Sequence, residues 1–383
     1  MLSVIQRELY ILAHERKMVL FVLLFAASAY ALLIGNLYHG QIVQNIPVAV
    51  CDLDDSALSH EFIKNVAEAD QYELIQTVGD EDEAVNLLKK HQAAAVIIIP
   101  ADFSQQFYQG KNPVLAFWED GTNTLAAGYA ASPMQALWSA WLLKFRQQAD
   151  IVAGTPDVSP ATLAISLRYI ANPVQGYLCF YIYGIMLIAA QIGLLISYSL
   201  SVQSDARKGY YKKHGVLKTM LAKSLLYWFF SMLAVLLGCI LLSGLFSLPF
   251  NGNTWEMMLL IGAFLFAVQN IAGLTGIYFK TKLALIQAMV FYSLPAFMLS
   301  GYIWPNQGML PVINWLSLLQ PAHYVLSDVR EIALTGMTNA AYESHLLILI
   351  IIGACCFIAA CYLLKSNYPR EKHPKNLFCN NLS

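Results

Sequence analysis

The sequence predicts a polytopic α-helical membrane protein, with six transmembrane helices and an α/β extracytoplasmic domain inserted between helices 1 and 2. Three observations predict it. Six apolar runs approach the roughly 20 residues a helix needs to cross the bilayer core, and none carries Asp, Glu, Lys or Arg in its interior. One run lies near the N-terminus and five crowd between Tyr177 and Leu364, leaving a long polar stretch between the first and second. Lys and Arg gather in alternate short loops. Composition agrees: 58% of residues are hydrophobic and 12% charged, against about 25% charged in soluble domains.

The predicted spans are Met18–Leu37, Tyr177–Val202, Leu225–Leu248, Met257–Phe279, Leu283–Trp304 and Leu346–Leu364. The first is too long for a secretory signal, and Asn36-Leu37-Tyr38-His39 is a poor cleavage site, so it reads as a retained helix. Residues 1–17 alternate Val4, Ile5, Leu9, Ile11 and Leu12 with Gln6, Arg7, Glu8, His14, Glu15 and Arg16, the pattern of an amphipathic helix on the membrane surface. Arg7, Arg16 and Lys17 precede span one. Arg207, Lys208, Lys212, Lys213, Lys218 and Lys223 separate spans two and three, Lys280 and Lys282 separate four and five, and Lys365, Arg370, Lys372 and Lys375 follow span six. The other short loops hold only Arg330, against Glu256, Asp328, Glu331 and Glu343. The positive-inside rule then places both termini in the cytoplasm, with residues 365–383 a cytoplasmic tail and residues 38–175 outside.

The insert reads as strands alternating with helices, hence a mostly parallel sheet covered by helices. Strands are expected at Ile46–Leu53, Tyr72–Val78, Ala94–Ile99 and Val114–Trp118. Helices are expected at Leu58–Ala69 with Ser56 as N-cap, at Asp80–Lys90, at Asp102–Tyr108, and over a long Ala-rich stretch from Asn123 to Gln148. Asp150–Pro160 reads as an exposed loop. Residues 176–364 carry spans two to six. They include a longer outer segment near 305–345, whose apolar stretch Val312–Leu319 is too short to span and suits one or two short re-entrant helices shielded by protein.

Catalytic motifs are missing from the sequence. It has no GxxxxGK[ST] phosphate loop, no GxSxG elbow, no HExxH and no histidine pair at helical ligand spacing. No basic stripe with interleaved aromatics favours nucleic acid. Only Cys51 of the seven cysteines lies in the insert, so that domain holds no internal disulfide. Asp52, Asp54 and Asp55 offer hard oxygen ligands, but the EF-hand pattern is incomplete, and a strand-end turn with helix capping explains them better; no metal site is expected. The spans carry uncharged polar residues, among them Gln191, Gln269, Asn270 and Gln287. Most suit helix–helix hydrogen bonding. Gln269 and Asn270 point in different directions on one helix, so one of them is a candidate for facing a cavity. A pathway without fixed charge favours an amphipathic or hydrophobic substrate.

IPVAVCDLDDSALSHEFIKNV resembles the opening of the extracytoplasmic domain of ABC-2 type permeases, a strand ending in D-x-D-x-S before a helix. AAAVIIIPADFSQQFYQGKNPVLAFWEDGTN is similar to that domain's later strand, and RELYILAHERK to the amphipathic helix leading into the first span. LSGYIWPNQGMLPVINWLSLLQPAHYVLSDVREIALTG resembles the family's segment between spans five and six, through Ser300, Gly301, Pro305, Met309, Pro311, Pro321, Tyr324, Arg330 and Gly336. The likeness covers nearly the whole chain and is nearest to the large-domain permeases of bacterial drug export. The chain departs from the family twice: Asp205 and Gly209 lack the usual Thr beside the Gly, and Glu331 stands where Gly often follows the Arg.

The resemblance implies the membrane-spanning subunit of an ABC exporter in the bacterial inner membrane. It would have no catalytic site or cofactor of its own, because ATP and Mg bind a cytoplasmic ABC ATPase subunit. Its partners would be that ATPase, a second permease copy or homologue, the lipid bilayer and, in one version, a periplasmic adaptor. Arg7, Glu8, Asp205, Arg207, Lys208, Gly209, Lys212 and Lys213 would form the coupling surface, and Gln191, Gln269, Asn270 and Gln287 would lie on the translocation path. The alternative is a membrane sensor or assembly protein using the α/β domain for ligand or partner binding.

Overall fold

The computed structural model describes residues 1–38, 45–90, 92–111, 113–119, 131, 133–145, 177–246, 248, 250–304, 306–336, 338 and 340–367. Pro305, the expected loop Asp150–Pro160, the ends of the expected Asn123–Gln148 helix and the tail from residue 368 lie outside them. The chain divides into two units, residues 42–168 and the remainder.

Helix α1, Leu2–Tyr10, runs into a π-helical turn, Ile11–Glu15, and Arg16 leaves helical geometry before α2, Lys17–Leu37. A π-turn is a local irregularity that re-aims a helix, and here it separates the amphipathic segment from the first apolar one.

The smaller unit contains β1 Ile46–Asp52, α3 Ala57–Ala67, β2 Tyr72–Val78, α4 Glu81–Lys89, β3 Ala95–Ile99, α5 Phe103–Tyr108, β4 Ala116–Glu119 and α6, residues 133–145. The sheet order is β2-β1-β3-β4; β1 pairs in parallel with β2 and β3, and β4 is antiparallel to β3. The central strands β1 and β3 are apolar on both faces, as strands covered on both sides must be. Val48, Val50, Ile97 and Ile99 pack on Phe62 of α3, Phe103 of α5 and Trp141 of α6. The alternate residues Ala49, Cys51, Val96 and Ile98 pack on Ala84 and Leu87 of α4. Burial pushes the Cys51 thiol pKa up, which suits an inert core residue. Ser56 caps α3 as expected, exchanging hydrogen bonds with Ser59 at 3.0 and 3.1 Å.

The larger unit adds α7 Tyr177–Arg207, α8 Tyr210–His214, α9 Val216–Phe246, α10 Thr254–Tyr278, α11 Lys282–Leu299, α12 Pro311–Ser317, α13 Leu326–Thr335 and α14 Tyr342–Asn367. Among the described residues, six helices (α2, α7, α9, α10, α11 and α14) are long and apolar enough to cross a membrane. Helices α7 and α10 form the middle of the bundle: α10 packs on α14 and α7, α2 on α7 and α9, and α11 on α7. At 31 residues α7 is about 46 Å long, against a hydrocarbon core of about 30 Å. It therefore extends past the expected end at Val202 and carries Asp205 within the helix.

The α7–α10 contact depends on small residues. A Cβ at Gly276 would sit 2.5 Å from the backbone oxygen of Ser199, and one at Gly273 would sit 3.0 Å from the Tyr198 ring. Such stripes let membrane helices approach closely. Gly276→Ala is expected to cost about 1–3 kcal/mol by overpacking, read as a lower thermal transition of the detergent-purified protein. Gly244→Ala is the control, because nothing lies within 4 Å of the added carbon.

Candidate functional site

Helix α1 buries Val4 and Glu8 and the π-turn after it buries Ile11 and Leu12, while Leu2, Leu9 and Tyr10 are exposed. This corrects the expected division of the amphipathic helix. Positions 4, 8 and 12 lie on one stripe at helical spacing, so Glu8 belongs to the buried side and Leu9 does not. Glu8 is 1% exposed, Asp205 of α7 is 2% and Lys223 of α9 is 1%.

These residues form one network. Arg7 grips Asp205 with both guanidinium nitrogens, Nη1–H to Oδ2 at 2.9 Å and Nη2–H to Oδ1 at 2.8 Å, the bidentate geometry that makes Arg–carboxylate pairs strong. That bond raises the Arg7 pKa above its ordinary value. The guanidinium carbon also lies 3.7 Å from the Tyr210 ring centroid. Lys223 Nζ is 2.6 Å from Asp205 Oδ2 and 3.4 Å from Glu8 Oε2, and it donates to Ser201 Oγ at 2.7 Å. Glu8 Oε1 accepts from the hydroxyls of Ser201 and, at 3.1 Å, Tyr227. Two cations face two anions, so the buried group is neutral as a whole. It ties α1, α7 and α9 together.

The stretch that separates expected spans two and three is mostly helix. Lys208 and Gly209 end α7, with Gly209 in the left-handed region at φ 64°, and Gly215 at φ 83° separates α8 from α9. Glycine alone adopts both angles cheaply, so the two residues form the hinges of a compact turn. Of the remaining coupling candidates, Arg207, Lys208 and Lys213 are exposed and Lys212 is half-buried. The α10–α11 turn lies at the same end, where Gln203 of α7 donates to Phe279 O at 2.7 Å. Three of the basic segments thus meet at one end of the bundle.

The candidate path residues do not converge within one chain. Gln191 reaches Ser293 Oγ at 3.4 Å, between α7 and α11. Asn270 donates to Phe266 O at 2.8 Å within its own helix. Gln287 is exposed on α11. Gln269 is 1% exposed and lines an apolar pocket.

The segment between α11 and α14 shows what its family-like residues do. Ser300 accepts the Tyr302 N–H at 3.2 Å around Gly301, whose φ is 81°. Pro311 opens α12 and Pro321 opens a 3₁₀ turn, positions where a missing N–H costs nothing. Met309 closes a turn on Asn306 O at 3.1 Å. Tyr324 donates to Leu318 O at 2.8 Å. Gly336 ends α13 in the left-handed region, 2.7 Å from Asn251 O by its absent Cβ. Arg330 lies 4.4 and 4.3 Å from the ring centroids of Phe180 and Tyr302.

In the α/β unit, Asp52 Oδ1 accepts the N–H groups of Asp54 and Asp55, both at 3.1 Å, and Ser59 donates to Oδ2 at 2.6 Å. Asp54 accepts the Ser104 N–H and hydroxyl. His60 and Asp55 stand close to Asp52, but turn and cap contacts already use the Asp52 and Asp54 oxygens.

Six spanning helices and a charge-stapled helical end define a multi-pass membrane protein. Residues 17–362 match the family described as ABC-2 family transporter protein, and the chain belongs to that family. It is 26% identical over 296 residues to the probable multidrug ABC transporter permease YbhS of Escherichia coli strain K12, covering 74% of this chain and 76% of the relative. It is 22% identical over 329 residues to the probable multidrug ABC transporter permease YbhR of the same strain, covering 83% and 86%. Family membership implies a transport subunit whose ATPase activity resides in a separate partner.

Proposed function

We propose that this chain is the permease subunit of an ATP-driven exporter in a bacterial inner membrane, moving an amphipathic or hydrophobic small molecule out of the cytoplasm or inner leaflet. The observation that carries the reading is the buried Arg7–Asp205–Lys223–Glu8 network. It joins α1 and the α7–α9 turn to the two long helices behind them, so a push on that end moves whole spans as a rigid body. Both termini and the α7–α9 turn face the cytoplasm, on the strength of the Lys and Arg distribution, and the α/β unit faces the other side. Two permease chains, identical or homologous, assemble with the ATPases, and the α/β unit meets an adaptor or the outgoing substrate. The relatives named as multidrug permeases and the uncharged polar residues of the spans support the substrate class.

Affinity purification in mild detergent tests the reading. A stoichiometric phosphate-loop ATPase with vanadate-sensitive hydrolysis is the expected result. Failure to capture one, even with candidates co-expressed and cross-linked, moves the sensor alternative ahead. Neutralising the exposed Arg207, Lys208 and Lys213 is a sharper test of coupling. Stability should stay within about 0.5 kcal/mol, as for most surface changes, while substrate-stimulated ATP hydrolysis falls severalfold.

A further inference from the structure

The 3₁₀ turn Pro321–Tyr324, the first turn of α13 and the start of α14 bring two histidines to one buried acid. His345 Nδ1 lies 2.7 Å from Asp328 Oδ2, and Asp328 is 2% exposed. The Tyr324 ring meets both imidazoles edge-on, with centroids 4.9 Å from His323 and 5.5 Å from His345. His323 is half-buried, and its Nδ1 is shut off from solvent without a hydrogen-bond partner. The other charges at this end are engaged elsewhere. Arg330 of α13 faces the Phe180 and Tyr302 rings, Glu331 and Glu343 are exposed, and Glu256 of α10 accepts from Asn253 at 3.2 Å. Tyr342 of α14 donates its hydroxyl to Glu256 O at 2.9 Å, and α11 meets His323 through the Leu299 carbonyl. Burial pushes the His323 pKa below the usual histidine value, and the charge of His345 pushes the same way, while Asp328 and the Leu299 carbonyl push back. The stability this neutral ring contributes is present above about pH 6.5, the ordinary value, and is lost as pH falls below it, because the loosened chain binds the proton more readily.

We propose that His323, Asp328 and His345 form an acid-sensitive latch between the 3₁₀ turn, α13 and α14. With His323 neutral, the His345–Asp328 contact holds the segment between α11 and α14 against the start of α14. Protonation of His323 sets two cations against one buried carboxylate and releases the segment, as histidine protonation flips interfaces in pH sensors. The released segment carries Arg330, which touches Phe180 at the start of α7, so the change reaches a spanning helix. Under the orientation proposed above, the latch reads the pH of the extracytoplasmic side. Its operation requires neither ATP nor a partner chain.

The test is hydrogen–deuterium exchange of the full chain in phosphatidylcholine nanodiscs, where both sides meet the buffer. Exchange is compared at about pH 7.5 and about pH 5.5, on either side of the histidine range, with labelling times corrected for intrinsic rates. Amides of α13 are expected to exchange severalfold faster at the lower pH, while those of β1 and β3 keep their protection. His323→Phe keeps a flat ring that takes no proton, so it should remove the response and leave protection at the higher pH unchanged. His345→Gln keeps a hydrogen-bond donor for Asp328 and removes the second cation, so the response should shrink and its midpoint move to higher pH. Should His323→Phe fail to fold, the His345→Gln midpoint decides, and an unmoved midpoint overturns the latch. An acid response of equal size in the native chain and His323→Phe, or no response in the native chain, would also overturn it. So would a loosening shared with β1 and β3, the mark of general acid unfolding. The exchange result stands even if no ATPase is ever captured, so the latch and the exporter reading fail separately.

Discussion

Lys223→Met is expected to destabilise the protein by about 3–5 kcal/mol, the usual cost of leaving a buried charge unpaired. Lys223 Nζ lies between Asp205 and Glu8, and its side chain is fully buried. Without it, two carboxylates share one guanidinium, and Glu8 Oε2 loses its nearest cation. Detergent-purified Lys223→Met should show a markedly lower thermal transition and an aggregated fraction on gel filtration. Adding Asp205→Asn restores neutrality, with Arg7 against Glu8, and should recover most of the loss. The double variant separates structure from function: if the network transmits movement, it should fold and yet fail to couple ATP hydrolysis to transport. A double variant as unstable as Lys223→Met alone would show that packing of the lysine stem, not its charge, holds this end together.

The membrane layout was legible because hydrophobic length is a strong signal. Each expected span corresponds to an observed helix, with ends displaced both ways: α7 runs on to Arg207 and α9 starts early at Val216, whereas α11 stops at Leu299, short of the expected Trp304, where the chain turns around Gly301. The α/β unit was legible through its turn chemistry, Ser56 above all, and Tyr72–Val78 is the strand expected. The antiparallel pairing of β4 was not legible. Strand direction at a sheet edge depends on how the chain returns, and mixed sheets commonly carry such an edge.

Three of the four charged residues of the network were also legible. Arg7, Glu8 and Asp205 stood out by resemblance, whereas Lys223, Ser201, Tyr227 and Tyr210 did not. Lys223 was absorbed into the tally of loop cations, although it interrupts an otherwise apolar stretch and lies four residues before Tyr227, as Ser201 does before Asp205. Those same-face spacings were the available signal. What links the pairs is contact between three helices distant in sequence, and periodicity within one helix does not report it.

In the segment between α11 and α14, Arg330→Ala is expected to cost about 2–3 kcal/mol. The guanidinium lies against two rings and donates to Tyr302 O at 3.3 Å. A desolvated cation–π contact contributes up to about 2 kcal/mol, and a charged hydrogen bond about 1.5–3; half-burial of Arg330 reduces both. The rings belong to separate parts of the chain. Phe180 begins α7, while Tyr302 follows α11, donates its hydroxyl to Phe180 O and accepts the Gly184 N–H at 3.2 Å. A phenol keeps its proton at neutral pH, so the Tyr302 hydroxyl remains a donor. Arg330 therefore clamps the start of α7 to the segment before α12. Arg330→Lys keeps the charge but loses the flat face that stacks on rings, so it should recover less than half of the stability lost in Arg330→Ala. Equal stability of the lysine variant and the native chain would show that charge alone suffices and that the rings contribute only packing. Because the clamp and the Lys223 network hold α7 at opposite ends, their costs should add in the combined variant. Additivity is the norm for distant sites without shared partners, and a combined loss well short of the sum would show that α7 transmits strain along its length.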